Sequence, residues 1–384
     1  MDHGRETLPT IAREWGRIGC IGFGGPPAHI ALLRALCVDR RQWLSAQEFE
    51  DGVAATNLLP GPASTQLAIY CAWRLRGARG ALVGGVCFIV PGLIVILALS
   101  ARFLAAHPPR WVSGAAGGAG AAVPAVALAA AIGLAPASWR RAGTARAAHL
   151  RWAGYLLAGG AAAALTGPFL VLVLAGCGLA EMLGTRPPWR RAAPAPAVLP
   201  LLAGAAPAGG LLAVAWVAVK VGLLSYGGGF VIIPLMQHDA VHTYHWMTSA
   251  QFLSAVALGQ ITPGPVVQTV AVVGYAAAGI GGGLLASLVA FTPSFAFVLA
   301  GGPRFDQLRR NESIQAFLSG AGPAAIGAIA GATVPLALAL SHLWQLAVLG
   351  LAAAWLIALR RGVAAVLVGA AALGVIAVLA GAPA

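Results

Sequence analysis

The chain has 384 residues, 59% of them hydrophobic and 9% charged, with a formal net charge of +13. A soluble chain of this length carries about 25% charged residues, so composition argues against a soluble enzyme. The 23 Arg and the single Lys punctuate the ends of apolar runs and form no tract, which argues against nucleic acid as a partner and fits the positive loops of a membrane protein.

The opening residues 1–19 lack an apolar stretch before a small-residue cleavage site, so they do not read as a signal peptide. Next comes "EWGRIGCIGFGG", with Arg17 about seven residues before Gly24-Gly25. "EFEDG" then brings Glu48, Glu50 and Asp51 together. These carboxylates could relay protons, counter Arg17 or start a solvated helix. "NLLPGPASTQLA" covers 57–68 and sets Pro60-Gly61-Pro62 between apolar runs. Apolar stretches follow at 81–100, 115–135 and 155–180, with a Thr-Gly-Pro turn at 166–168.

After a Pro- and Ala-rich segment, the run 211–224 holds Lys220 and leads to Gly227-Gly228-Gly229. "HDAVHTYH" spaces His238, His242 and His245 at i, i+4 and i+7, a metal-face spacing that reads more plainly as an interfacial loop. Pro263-Gly264-Pro265 comes next, then apolar runs at 284–300, 321–340, 343–359 and 363–380. A spanning helix needs roughly 20 mostly apolar residues, so eight or more such runs predict an all-α polytopic membrane protein. Cys20, Cys37, Cys71, Cys87 and Cys177 show no C-x-x-C spacing and read as small packed hydrophobes. No cofactor or metal site is expected.

The chain repeats itself. At a shift of 203 residues, Trp43 meets Trp246, Phe49 meets Phe252, and the two Pro-Gly-Pro elements coincide, with 16 identities over residues 17–82 aligned without a gap. Two homologous halves follow, 1–190 and 207–384, joined by a linker at 191–206. The loop after the first Pro-Gly-Pro carries Arg74, Arg76 and Arg79, whereas its counterpart "YAAAGIGGG" carries no charge and the next loop holds Arg304, Arg309 and Arg310. With positive loops on the cytoplasmic side, the halves are expected to be inverted. About ten full spans are expected, plus two Pro-Gly-Pro-broken elements that each return to their own side, with both termini outside.

Inverted repeats with broken helices are the architecture of secondary transporters, with a site where the repeats meet. A helix restarting at Pro62 or Pro265 points N–H groups and the positive dipole end at the break, which suits an anion. Pro60, Pro62, Pro263 and Pro265 are therefore the expected helix breaks. The expected binding groups are Asn57, Gly61, Ser64, Thr65 and Gln66 in the first copy and Gln260, Gly264, Gln268 and Thr269 in the second; their plainer role is capping the broken ends. Gly24, Gly25, Gly227 and Gly228 would allow close backbone approach. Arg17 and Lys220, equivalent at the 203 shift, would supply two cations. The donor set suits a small oxyanion.

"GFGGPPAHI", "LLPGPASTQLAIY", "SYGGGFVIIPLM" and "GQITPGPVVQTVAVVGY" resemble the paired signatures of the chromate ion transporter family, in its long two-domain form. That resemblance covers both halves. It implies export of chromate across the bacterial inner membrane, chromate resistance, and sulfate as the competing or exchanged ion. Arg17 stands where the family usually has Lys. Expected partners are thus the lipid bilayer, chromate and sulfate, with a homodimer allowed for and no nucleic acid. A sulfate, molybdate or other oxyanion carrier is the alternative within transport. A membrane-embedded enzyme on a lipid-linked substrate is the alternative of another class, and it would have to draw on Glu48, Asp51 and the His cluster.

Overall fold

The computed structural model describes residues 6–57, 59–105, 108–165, 169–184, 209–225, 229–301, 311–359 and 362–383. The linker 191–206, the 166–168 turn, Gly227, Gly228, Arg304, Arg309 and Arg310 lie outside the described residues. The described residues form helices, with no strand among them.

The first half runs α1 (Leu8–Ile21), α2 (Pro26–Arg34) continued by a π turn (Ala35–Arg40), α3 (Ala46–Thr56), α4 (Ala63–Phe103), α5 (Arg110–Arg141), α6 (Arg146–Leu165) and α7 (Leu170–Gly184). The second runs α8 (Gly210–Leu224), α9 (Ile232–Gln237) with a π turn (His238–Thr243), α10 (Ser249–Ile261), a 3-10 turn (Val266–Gln268) and α11 (Thr269–Gly301). It ends with α12 (Glu312–Leu338), α13 (Leu343–Ala353) with a π turn (Ala354–Ala358), and α14 (Val363–Leu379).

Local chemistry recurs with the elements. α3 starts in a capping box between Ser45 and Glu48, and α10 in one between Thr248 and Gln251. In each, the cap hydroxyl takes the third-residue N–H while that residue's side chain takes the cap N–H. Gly61 (φ 114°) and Gly264 (φ 94°) hold the left-handed backbone of the two breaks.

Beyond the breaks the repeat register slips by one residue. The bends at Gly77 (φ 58°) and Gly279 (φ 61°), and the helix prolines Pro91 and Pro293, match at a shift of 202. The second copy is one residue shorter just after Pro265 and opens with a tighter 3-10 turn. The gap-free alignment over 17–82 is therefore corrected. Gln66 corresponds to Gln268, while Ser64 and Thr65 face Val266 and Val267.

The charged loop expected at Arg74–Arg79 is instead a sharp bend within α4. Arg76 (φ −143°, ψ 23°) and Gly77 leave helical geometry, and the arms fold back so that Gly80 and Gly84 pack on Ala72. Gly279 does the same in α11, with Gly282 and Ala286 against Gly274. α3 lies along the first arm of α4, where Gly52 meets the ring of Tyr70. Each Pro-Gly-Pro thus sits at the tip of a short helical hairpin. An 11-residue arm such as α3 reaches only about 16 Å, roughly half the thickness of a bilayer core.

The halves interlock. The most extensive helix contact is α6 on α12, followed by α14 on α5, and α7 also lies on α12. Small residues form these seams. Gly114 and Gly118 meet Gly374 between α5 and α14, and between α6 and α12 Gly159 meets Ala324 while Gly160 meets Gly327 and Gly331. Backbone-to-backbone approach of this kind holds membrane helices together where lipid gives no hydrophobic drive.

Four helices among the described residues (α4, α5, the 266–301 segment and α12) are long and apolar enough to cross a membrane, and α7, α8, α13 with its π turn, and α14 are apolar but shorter. Large apolar side chains such as Ile94, Leu157, Leu212, Leu288, Val368 and Ile376 face outward. Gln66, Gln268, Thr65 and Ser294 are buried. Apolar outside and polar inside is the arrangement of a multi-pass membrane protein.

Candidate functional site

At the first break Asn57 caps the end of α3 and is exposed. The Pro62 carbonyl accepts from the N–H groups of Thr65 and Gln66, each at 3.0 Å. Gln66 Nε2 donates to Pro60 O at 2.6 Å and closes the loop. The second break is stitched similarly. Thr262 Oγ1 donates to Leu258 O (2.9 Å), Gln268 N–H to Pro265 O (2.9 Å) and Thr269 Oγ1 to Val266 O (2.9 Å).

Each break lodges against the other half. A Cβ on Gly61 would stand 3.0 Å from Gly222 O on α8 and 3.5 Å from Ser294 Oγ on α11. The second break packs on the equivalent pair of the first half. Gly264 N–H donates to Gly22 O just past α1 (2.9 Å), Gln268 Nε2 donates to Ile89 O on α4 (2.6 Å), and Pro263 O sits directly on Gly92.

His29 joins the two breaks. Its ring is fully buried, with Nε2 2.9 Å from Gly22 O and Nδ1 3.3 Å from Ser64 Oγ. A carbonyl can only accept, so Nε2 carries the proton and Nδ1 accepts from the Ser64 hydroxyl. Gly22 O therefore receives both His29 and Gly264. Gly24 (φ 98°) and Gly25 (φ 72°) turn the chain between Gly22 and His29, and Gly25 approaches Val266 of the second break.

Several fully or almost fully buried side-chain atoms near the breaks have no hydrogen-bond partner among the described residues. They are Thr65 Oγ1, Gln66 Oε1, Gln260 Nε2, Gln268 Oε1 and Ser294 Oγ. Leaving a buried polar group unsatisfied costs about 1–3 kcal/mol. Such groups mark places that a ligand or water would satisfy.

The two cations do not form the matched pair expected. Lys220 Nζ lies 2.5 Å from Asp239 Oδ2 in a buried ion pair and 5.6 Å from the centre of the Trp216 ring. Arg17 is exposed. α1 turns Ile11, Trp15, Ile18 and Gly19 inward, with Trp15 Nε1 donating to Ala68 O at 2.8 Å, so Arg17 lies off the packed face. The residue equivalent to Asp239 is Leu36, so Arg17 has no matching acid.

The carboxylates of "EFEDG" serve the hairpin and not Arg17. Glu48 completes the capping box and pairs with Arg74, and Glu50 pairs with Arg34. Asp51 accepts from Gln47 Nε2 at 3.1 Å. The His238 and His242 rings stand 5.9 Å apart, but no group of three potential metal ligands occurs among the described residues. A separate cavity of about 300 Å³ lies between α5, α10 and α13, lined by Ser113, Gln251, Ser254 and Gln345.

Three residues escaped the reading of the sequence. Asp239 was recoverable, because it is the lone acid between Glu181 and Asp306, a stretch in which Lys220 is the lone cation between Arg191 and Arg304. His29 stands inside "GFGGPPAHI" as a single polar residue among apolar ones. Ser294 had no local signal, because what marks it is its position across from Gly61.

The family model for chromate transporters matches residues 9–182 and 212–375. The chain is 32% identical over 341 residues to the chromate transport protein of Cupriavidus metallidurans, covering 86% of this chain and 83% of that one. It is 30% identical over 343 residues to a probable chromate transport protein of Synechococcus elongatus, covering 87% and 86%. It is 31% identical over 347 residues to the chromate transport protein of Pseudomonas aeruginosa, covering 86% and 81%. No solved structure matches. With both segments of the family model accounted for, the chain belongs to the chromate transporter family.

Proposed function

We propose that this chain is a secondary transporter that exports chromate across the bacterial inner membrane, with its site where the two halves meet. The observation that carries the proposal is that each Pro-Gly-Pro break lies buried against the other half, at Gly222 and Ser294 in one case and at Gly22, Ile89 and Gly92 in the other. Irregular backbone at membrane depth is tolerated where it is enclosed by protein or lines a pathway. The matches to proteins named for chromate transport support chromate as the substrate.

The halves run in opposite directions in this reading. The α3 and α10 hairpins re-enter from opposite sides. Arg34, Arg40, Arg41, Arg74, Arg76 and Arg79 support this, because all six repeat partners, Gln237, Thr243, Tyr244, Ala276, Ala278 and Gly281, are uncharged. Positive residues belong on the cytoplasmic side, so the first hairpin opens inward and the second outward.

Export then needs no nucleotide. A dianion leaving a negative interior gains about 4.6 kcal/mol per 100 mV, twice the value for one charge. Alternating access around the breaks keeps the path closed to other ions.

Substrate choice is tested by counterflow in proteoliposomes loaded with unlabelled chromate, sulfate or molybdate. Chromate should be taken up fastest, with sulfate competing. Uptake of sulfate or molybdate that chromate does not inhibit would reassign the substrate. No oxyanion uptake by reconstituted protein would remove the transport reading.

A further inference from the structure

We infer that the transporter holds one oxyanion site rather than two symmetric ones, at the first Pro-Gly-Pro break, and that Ser294 from the opposite half completes it. The inference rests on the oxyanion reading above and deepens it.

At the second break Gln260 Nε2 and Gln268 Oε1 are left without a partner among the described residues, but no hydroxyl is. Gly264 N–H, Gln268 Nε2, Thr262 Oγ1 and Thr269 Oγ1 all have protein acceptors. Gly92 lies so close to Pro263 O and Gln268 Oε1 that even a methyl group would clash with both. That contact leaves α4 no room for a side chain at position 92.

The first break differs at each matching place. Gln66 turns back to its own Pro60 and makes no bond across to α11. The position equivalent to Gly92 is Ser294, whose fully buried hydroxyl faces Gly61 and has no partner. Thr65 Oγ1, in the first turn of α4, is also fully buried and unpartnered. Val267 stands in its place in the second copy.

These two hydroxyls depart from the habit of this chain. Ser100, Thr262, Thr292 and Ser254 each fold back onto the carbonyl four residues earlier, at 2.7 to 3.0 Å. That is the default for a hydroxyl inside a membrane helix. Ser294 makes no such bond and faces Gly61, and Thr65 Oγ1 is likewise without a partner among the described residues. Thr65 belongs to the first turn of the long helix α4, at the positive end of its dipole.

The site is built from neutral donors, because Lys220 is held by Asp239 and Arg17 is exposed. Hydroxyls and a helix N-terminus suit a fully ionised tetrahedral oxyanion such as chromate or sulfate. They also let it go, as conduction through a transporter requires.

The test is chromate binding to the purified full chain in detergent by equilibrium dialysis, with sulfate and molybdate run alongside, and thermal melting of every variant. One chromate should bind per chain. Ser294→Ala and Thr65→Val should each weaken binding about ten- to hundredfold, the range for a hydrogen bond to a charged group. Ser294→Ala should melt at the wild-type temperature or above, because it removes an unsatisfied hydroxyl, whereas a residue with only a packing role would lower it. Two equivalent ions per chain, or wild-type affinity in Ser294→Ala, would overturn the single-site inference and leave the transporter reading standing. Failure of the wild type to bind any of the three oxyanions would bring down both.

Discussion

Gln66 and Gln268 occupy the same place in the two repeats and direct their amides differently. Gln66 Nε2 donates to Pro60 O within its own break, while Gln268 Nε2 crosses to Ile89 O of the other half, both at 2.6 Å. The second break is therefore latched to the first half, and the first break is not latched to the second.

Removing the latch should loosen the contact between the halves. Gln268→Leu is expected to lower stability by about 0.5–1.5 kcal/mol, the net value of one hydrogen bond, and to increase protease access to the second hairpin. Gln66→Leu should cost a similar amount while leaving that access unchanged. Melting temperature and limited proteolysis in detergent check both; equal exposure of the two hairpins in the two variants would remove the asymmetry.

The Lys220–Asp239 pair should behave as a structural unit. Removing one member of a buried ion pair leaves an uncompensated charge and costs about 3–5 kcal/mol. Lys220→Ala and Asp239→Ala should each reduce the folded yield sharply, and the double variant should recover much of it. A double variant that folds but has lost all flux would return Lys220 to the substrate. Folded yield by size-exclusion chromatography, followed by flux, separates the two.

The glycine seams should not tolerate larger residues. Gly327 and Gly331 lie against the backbone of Leu156 and Gly160, and Gly374 against Gly114 and Gly118. Gly331→Val and Gly374→Val should destabilise by about 1–3 kcal/mol or more through overpacking. Gly350→Ala, with open space around it, should be neutral. Melting curves for the three variants check this.

Much of the architecture was legible in the sequence. Apolar runs gave the helices, and the doubled Trp and Pro-Gly-Pro gave the repeat, because glycine conformation and helix breaking act locally. The bend at Arg76–Gly77 looked like a charged loop, because three arginines masked the alanine and glycine packing of the two arms. The one-residue slip after Pro265 was hidden by apolar residues that align equally well at either register. The pairing of Lys220 with Asp239 and the placement of Ser294 depend on helices meeting in space, which no local pattern encodes. Arg17 and Lys220 differ in their surroundings for that reason: an equivalent position in the repeat does not carry equivalent neighbours.

Acid should weaken the first hairpin through Glu48. The Ser45 backbone N–H holds this carboxyl below its usual pKa, and Arg74 pulls in the same direction. A lowered folded-state pKa gives stability that is present above the unfolded value, about 4.3, and is lost as pH falls through the folded one. Melting temperature should therefore drop below about pH 4.3, and Glu48→Gln should flatten that part of the curve. An unchanged slope in Glu48→Gln would show that the hairpin does not depend on this charge.

The central claim is an electrogenic exit for chromate through the breaks between the halves, and radiolabelled chromate uptake into inverted membrane vesicles tests it most directly. With the vesicle interior positive, wild-type protein should accumulate chromate, excess sulfate should inhibit it, and reversing the potential should abolish it. Thr65→Val should remove most of the uptake while still inserting. Accumulation that ignores the potential, or no accumulation from protein shown to be inserted, would contradict the account.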